Sequence, residues 1–249
     1  MKNNTDDKLY GRNPVIEALE NGRAVDKIYL QERLNHPAIG RIRNLAKERS
    51  IHYQFVSKRN LDQMCGGENH QGVVAAAAAH DYVSVEDILS LAENRGEAPF
   101  VVICEGLTDP HNLGSVIRTA NAAGAHGVII PKNRSVSLNS TVAKVSAGAV
   151  EYTYVAKVSN IAQTLEKLKK AGLWIVGTDL SGTQEHYDCD LKGPIGIVIG
   201  SEGSGMSRLV RDGCDFLVKI PMIGEIESLN ASVAAGVLLY EAVRQRREK

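Results

Sequence analysis

GIVIGSEGSGM, residues 196–206, reads as a buried strand running straight into a glycine-rich loop. Its apolar run is short, β-branched and continuous rather than alternating, the pattern of a strand covered on both faces. Four more such runs lie outward from it: PFVVIC at 99–104, GVIIP at 127–131, LWIVGT at 173–178 and FLVKIP at 216–221. Helical patterns separate most of them. Continuous apolar strands alternating with helices predict an α/β domain on a parallel sheet.

Upstream the pattern is that of a smaller α/β unit over residues 11–79. In GRNPVIEALENG, Asn13 is placed to cap a helix, with Pro14 at its first position and Gly22 at its end. KIYL is a strand, and HPAIGRIRNLAKERS is an amphipathic helix with Ile39, Ile42, Leu45 and Ala46 on one face. IHYQFV is a second strand, Ser57 opens a short helix, and GGENHQGVVAAAAA is a turn followed by a β-like run. The polar start, MKNNTDDKLY, reads as a short disordered tail without the apolar core of a secretory leader. Residues 80–97 read as a connector holding one short helix around Ile88, Leu89 and Leu91. The expected division is thus 1–79, a linker at 80–97, and 98–249.

Apolar residues make up 43% of the 249, enough for a proper core, and no run reaches the roughly 18–20 residues of a membrane span. Cys65, Cys104, Cys189 and Cys214 form no C-x-x-C pair, so neither a metal site nor disulfides are expected, and a reduced, cytoplasmic protein is the simplest account. The net charge is zero, but residues 1–80 carry 12 Lys+Arg against 9 Asp+Glu, a net of +3, which leaves −3 for the remainder. The tail RQRREK reads as a solvated helix end. Charge alone therefore does not decide for or against a nucleic-acid partner.

Three segments carry chemistry. LTDPHNLGSVIRTANAAGAHGVII (107–130) follows a strand and opens a helix, with Asn112 as a plausible cap and Gly114 allowing another chain or a ligand to approach closely. Arg118, early in that helix, opposes the dipole, so it is either a surface salt-bridge partner or a functional group. The loop around Glu202, with Gly200, Gly203 and Gly205, lacks the Lys-Ser/Thr of a phosphate-binding loop, any G-x-G-x-x-G, and the G-x-S-x-G of a hydrolase elbow. Its glycines would let backbone groups reach a flat ligand, or simply make a turn. In VKIPMIGEIESLNASVAAGVLLYEAV (218–243), Ser228 and Asn230 could cap a helix whose Ala231, Ala234, Ala235 and Gly236 permit close packing.

Together these segments resemble the knotted RNA 2′-O-methyltransferases, the SpoU or TrmH-like branch of the SPOUT superfamily. The resemblance spans about 98–245: D-P-x-N-x-G-x-x-x-R from Asp109 to Arg118, I-G-S-E-G-x-G from Ile199 to Gly205, and I-P-M followed by S-L-N-A-S-V-A from Ile220 to Ala234. G-R-N-P-V-I-E-A-L and N-H-Q-G-V-V (69–74) are similar to the subfamily containing the large-subunit rRNA guanosine methyltransferase of the peptidyl-transferase loop. There the first domain is an L30e-like module that holds RNA.

The resemblance implies a deep trefoil knot in the second domain, a rare exception among chain topologies. It implies S-adenosylmethionine bound by Gly177, Thr178, Gly200, Ile220, Met222, Ser228 and Leu229. It implies a catalytic set of Arg118, Asn112, Glu202, Ser228 and Asn230, in which Asn112 and Asn230 orient the ribose and Arg118, and Glu202 holds the loop or the arginine. The implied partners are structured RNA, rRNA ahead of tRNA, and a second copy in a homodimer whose sites lie at the interface, with no metal and no membrane. Arg118 is assigned by resemblance as the base. A guanidinium is normally always protonated, so the alternative is a charged clamp on the phosphate beside the target ribose. The competing class is a non-catalytic RNA-binding or assembly module.

Overall fold

The structure, a computed structural model, describes residues 8–49, 51–78 and 80–247. The chain divides into two compact units, Met1–Asp81 with Ser137–Ser140, and Tyr82–Val136 with Thr141–Lys249.

The first unit runs β1 (Lys8–Tyr10), α1 (Arg12–Glu20), β2 (Val25–Gln31), α2 (Pro37–Glu48), β3 (His52–Val56), α3 (Lys58–Cys65) and β4 (Val73–Ala77). Its sheet has the order β1-β4-β2-β3, with β2 parallel to β3 and antiparallel to β4. Ile28 and Leu30 from β2, Ile42 from α2 and Val73 from β4 meet in its core. Lys8–Tyr10 are not part of a disordered tail: they form an edge strand whose backbone pairs with Val74–Ala76 of β4. Residues 1–7 lie outside the described residues. Asn13 does not cap α1. The cap position is Gly11 at φ 92°, a left-handed conformation that favours glycine, and Asn13 sits inside the first turn.

The second unit carries α4 (Val85–Arg95), β5 (Phe100–Cys104), α5 (Pro110–Ala122), β6 (Gly127–Pro131), α6 (Ser140–Val145), β7 (Tyr154–Val158), α7 (Ile161–Lys170), β8 (Trp174–Thr178), β9 (Gln184–Glu185), β10 (Ile195–Ile199), α8 (Arg208–Asp212), β11 (Phe216–Lys219) and α9 (Ala231–Arg247). Its sheet has the order β7-β6-β5-β10-β8-β11-β9, and every pairing is parallel. The α/β class and parallel sheet expected from the five apolar runs are therefore present. Two edge strands were not foreseeable as apolar runs: β7 carries Lys157 among its five residues, and β9 has only two.

Of the 80–97 stretch, residues 82–97 belong to this unit. Ser84 and Asp87 form a reciprocal capping box at the start of α4, and Ile88 is fully buried. A Cβ at Gly127 would stand 2.6 Å from Ile88, so glycine lets α4 lie directly on β6. Within RQRREK, Gln245 and Arg246 depart from a solvated helix end, and Glu248 and Lys249 lie outside the described residues. Arg246 donates to the Leu191 carbonyl at 3.1 Å, and its guanidinium lies 4.6 Å over the Phe100 ring.

His126, 2% exposed, clips the start of β5 to the turn before β6. Its Nδ1 accepts from the Phe100 backbone N–H at 3.0 Å. A backbone N–H can only donate, so the ring proton sits on Nε2 and is donated to Glu97 at 2.9 Å. Burial lowers the His126 pKa, and the Glu97 contact only partly opposes this. The folded chain thus prefers neutral His126, whereas the unfolded chain takes up a proton near the ordinary histidine value of about 6.5. This contribution to stability is complete above that pH and is lost as pH falls through and below it. The thermal midpoint is expected to drop more between pH 7 and pH 5 in the native chain than in His126→Asn. Parallel curves would count against it.

Candidate active site

The register of the sheet sets the site. Ile199 of β10 pairs with Cys104 of β5, Val198 with Gly177 of β8, and Val218 of β11 with Thr178. Four carboxyl ends therefore stand level at the middle of the sheet, where ligands of open parallel sheets collect. The three segments read as chemical leave from these ends.

Asp109 caps α5, its carboxylate accepting from the His111 N–H at 2.9 Å, and Pro110 takes the first helical position. This corrects the placement of Asn112 as the cap. Asn112 is buried one turn further in, and its Nδ2 donates to Glu202 Oε1 at 2.9 Å. Asn230 Nδ2 donates to Asn112 Oδ1 at 2.9 Å and also to the same Glu202 oxygen. The Oδ1 of Asn230 accepts from Ser232 N at 3.0 Å and Val233 N at 3.3 Å. Asn230, not Ser228, therefore caps α9, and the cap is joined to the glycine loop and to α5 through one carboxylate. Amide donors satisfy that carboxylate without neutralising it by ion pairing. At Gly114 the close neighbour is a helix of the same chain: a Cβ there would stand 2.8 Å from Val145 of α6.

The glycine loop is closed by its own backbone. Ser201 N donates to Gly205 O at 3.0 Å, and Gly205 N donates back to Ser201 O at 2.9 Å. A Cβ on Gly200 would stand 2.5 Å from the Gly205 carbonyl carbon. Glu105, at the end of β5, accepts from Ser207 N at 3.0 Å and Ser207 Oγ at 2.6 Å, tying the two loops together.

Two cavities share this loop. The smaller, about 440 Å³, is lined by Thr178, Gly200, Ile220, Met222, Ser228 and Leu229. Gly177 does not line it. That glycine is buried in the sheet, where a Cβ would meet Cys214 Sγ at 2.7 Å and Met206 Cε at 2.8 Å, so its role is packing. Asp179 and Arg211, absent from the sequence reading, form an ion pair on the same wall at 2.9 Å. Burial pushes the Asp179 carboxyl up, but hydrogen bonds from Ser181 and the Arg211 charge outweigh it and hold the group below the usual carboxylate range. The only sequence signal for Asp179 was its place just past WIVGT.

The larger cavity, about 870 Å³, is lined by Asn112, Glu202, Glu105 and Asp109, by Pro131, Asn133 and Arg134, and by the first turn of α7. Asn230 joins the two through its bonds to Asn112 and Glu202. Arg118 is not brought to this cluster. It lies nearly two turns past Asn112, roughly 9 Å along the helix axis, on the exposed face of α5 with His111. It lines neither cavity and makes no hydrogen bond or ion pair among the described residues. Gly236 likewise stands open rather than in a close contact. Among the described residues, no three His, Cys, Asp or Glu side chains are grouped to hold a metal ion, and no helix is long and apolar enough to cross a membrane.

Comparison with known proteins bears on both units. The model of the SpoU rRNA Methylase family matches residues 99–240, and the model described as RNA 2′-O ribose methyltransferase substrate binding matches residues 8–83. The TrmH family tRNA/rRNA methyltransferase YacO of Bacillus subtilis is 49% identical over 240 residues, covering 96% of each chain. A TrmH family tRNA/rRNA methyltransferase of Staphylococcus haemolyticus is 45% identical over 240 residues, again covering 96% of each. Among solved structures, the SpoU methyltransferase AviRb of Streptomyces viridochromogenes, in complex with AdoMet, superposes with a TM-score of 0.61 at 28% identity, covering 97% of this chain and 91% of that one.

Proposed function

This chain belongs to the SpoU rRNA methylase family, and we propose that it methylates a guanosine ribose in the peptidyl-transferase loop of large-subunit rRNA. The coarser activity is that of the family: an RNA 2′-O-methyltransferase of the α/β-knot class that uses S-adenosylmethionine. The observation that carries the reading is the Asn112–Glu202–Asn230 cluster, held between two cavities at level strand ends.

The smaller cavity fits the methyl donor. Its volume of about 440 Å³ lies in the roughly 300–1,000 Å³ range of small-molecule sites. Much of its wall is loop, and at Gly200 no side chain could stand without striking the loop backbone. Thr178, Gly200, Ile220, Met222, Ser228 and Leu229 would hold the donor, which supplies a methyl on a sulfonium. The larger cavity takes the target nucleotide. Asn112 and Asn230 set the ribose, and Glu202 keeps both amides and the loop in place. Transfer needs an in-line approach, and positioning of this kind supplies up to roughly 7–11 kcal/mol in ideal cases.

Arg118 enters the site from a second copy of the chain. Its exposed, unpartnered position on α5 supports this, as do exposed Val233 and Tyr240 on α9, which packs on α5. Each copy then completes the other's site, and the first unit holds the RNA. The guanosine target rests on the G-R-N-P-V-I-E-A-L and N-H-Q-G-V-V resemblance. The naming of relatives as tRNA/rRNA methyltransferases favours tRNA as the second reading. Mapping ribose methyls in rRNA and tRNA with and without the gene tests the assignment. One methyl lost from the peptidyl-transferase loop is expected; a methyl lost from tRNA moves the target. No change in either, with no S-adenosylmethionine bound at millimolar concentration, would favour the non-catalytic module.

A further inference from the structure

We propose that Arg134 binds an RNA phosphate next to the target ribose and so sets the strand in the larger cavity. The inference rests on the reading of that cavity as the nucleotide site. Arg134 is the cation among the residues lining it; the other charged residues there are Glu105, Asp109 and Glu202. All three carboxylates are already engaged. Glu105 holds Ser207, Asp109 caps α5, and Glu202 holds Asn112 and Asn230. A polyanion entering the cleft therefore meets three negative groups that cannot turn away. Arg134, in contrast, makes no hydrogen bond or ion pair among the described residues. An unpartnered guanidinium presents a planar fork of donors that matches two phosphate oxygens at once.

The backbone points the same way. Arg134 has φ 57°, a left-handed conformation that L residues with side chains rarely adopt. Its loop is nevertheless tied in place. Lys132 N donates to Val158 O at 2.7 Å, and both Ser135 Oγ, at 3.0 Å, and Val136 N, at 2.8 Å, donate to the carbonyl of Leu107. Leu107 is buried two residues before the cap of α5. The loop carrying Arg134 is thus stitched to the segment that leads to Asn112, and a strained conformation held by its surroundings is a mark of functional positions. This placement gives Arg134 a phosphate contact of its own, whichever of its two roles Arg118 takes.

The test is RNA binding as a function of salt, without methyl donor, using a transcribed fragment of the peptidyl-transferase loop and bulk tRNA as probes. Arg134→Gly is the informative variant because glycine takes φ 57° without strain, so the fold is retained. It is expected to bind the preferred RNA about tenfold more weakly, with the slope of log K against log salt reduced by about one. S-adenosylmethionine affinity should be unchanged by calorimetry. In turnover, KM for RNA should rise more than kcat falls. Arg134→Lys should keep most of the salt slope while losing part of the affinity, since it retains charge but not the fork. Wild-type affinity and slope in Arg134→Gly would overturn the proposal, and so would a parallel loss of S-adenosylmethionine binding, which would mark a structural role. A native chain that binds RNA but methylates none would sink the enzymatic reading, while the salt slopes still decide the phosphate contact.

Discussion

Arg118→Ala is expected to lose methyl transfer by about 10²–10⁴-fold, the range a positioned proton-transfer group supplies, with the fold and S-adenosylmethionine binding intact. The side chain is exposed and unpartnered among the described residues, so its removal should alter folding stability by no more than about 0.5 kcal/mol. Arg118→Lys separates the two chemical roles. A simple charge on a phosphate tolerates lysine and keeps measurable activity; total loss counts against that version. The composite site makes a sharper demand. Mixed dimers of Arg118→Ala with a chain defective in the donor loop contain one site with a sound loop from the first chain and a sound arginine from the second. Activity should return on mixing. If mixing restores nothing, or if light scattering finds an active monomer, Arg118 does not act across a dimer.

Gly200→Ala supplies such a donor-loop defect and should be the more damaging change to the chain itself. The new Cβ would lie 2.5 Å from the Gly205 carbonyl carbon and 2.8 Å from Met206 N. Both are backbone atoms, so no flexible side chain can swing aside. The paired hydrogen bonds between Ser201 and Gly205 must open, or β10 must shift. Overpacking of this kind costs typically 1–3 kcal/mol. The same loop carries Glu202 and walls both cavities. S-adenosylmethionine affinity measured by calorimetry should fall at least about tenfold, a loss worth about 1.4 kcal/mol, together with the thermal midpoint. By comparison, Gly203→Ala, where nothing lies within 4 Å, should retain binding. Equal behaviour of the two variants would show that the Gly200 contact is not what shapes the loop.

What could be read in advance divides along physical lines. Strands buried on both faces must be continuous apolar runs, so the five central strands and the parallel α/β class were legible from composition alone. Edge strands carry no such requirement. Hence β1, β7 and β9 left no apolar signature, and Lys8–Tyr10 read as tail. Local capping was only partly legible. Ser57 caps α3 as read, but Asp109 pre-empted Asn112 at α5, because two good caps stood within three residues and the chain could use only one.

The sequence by itself determined the class of fold, the three segments, and their placement after strands, since strand burial, glycine spacing and the order of motifs are written locally. Only the tertiary structure decided what those segments do to one another. Asn112, Glu202 and Asn230 are separated by 90 and 28 positions, and no local rule links residues so distant. The level ends of β5, β10, β8 and β11 bring them together. The same geometry buries Gly177 in packing, leaves Arg118 on an outer face, and puts Arg134 on the wall of the larger cavity. Side-chain type could be read from the order of residues, whereas which side chains share a cavity depends on register and crossover, which arise only when the sheet is assembled.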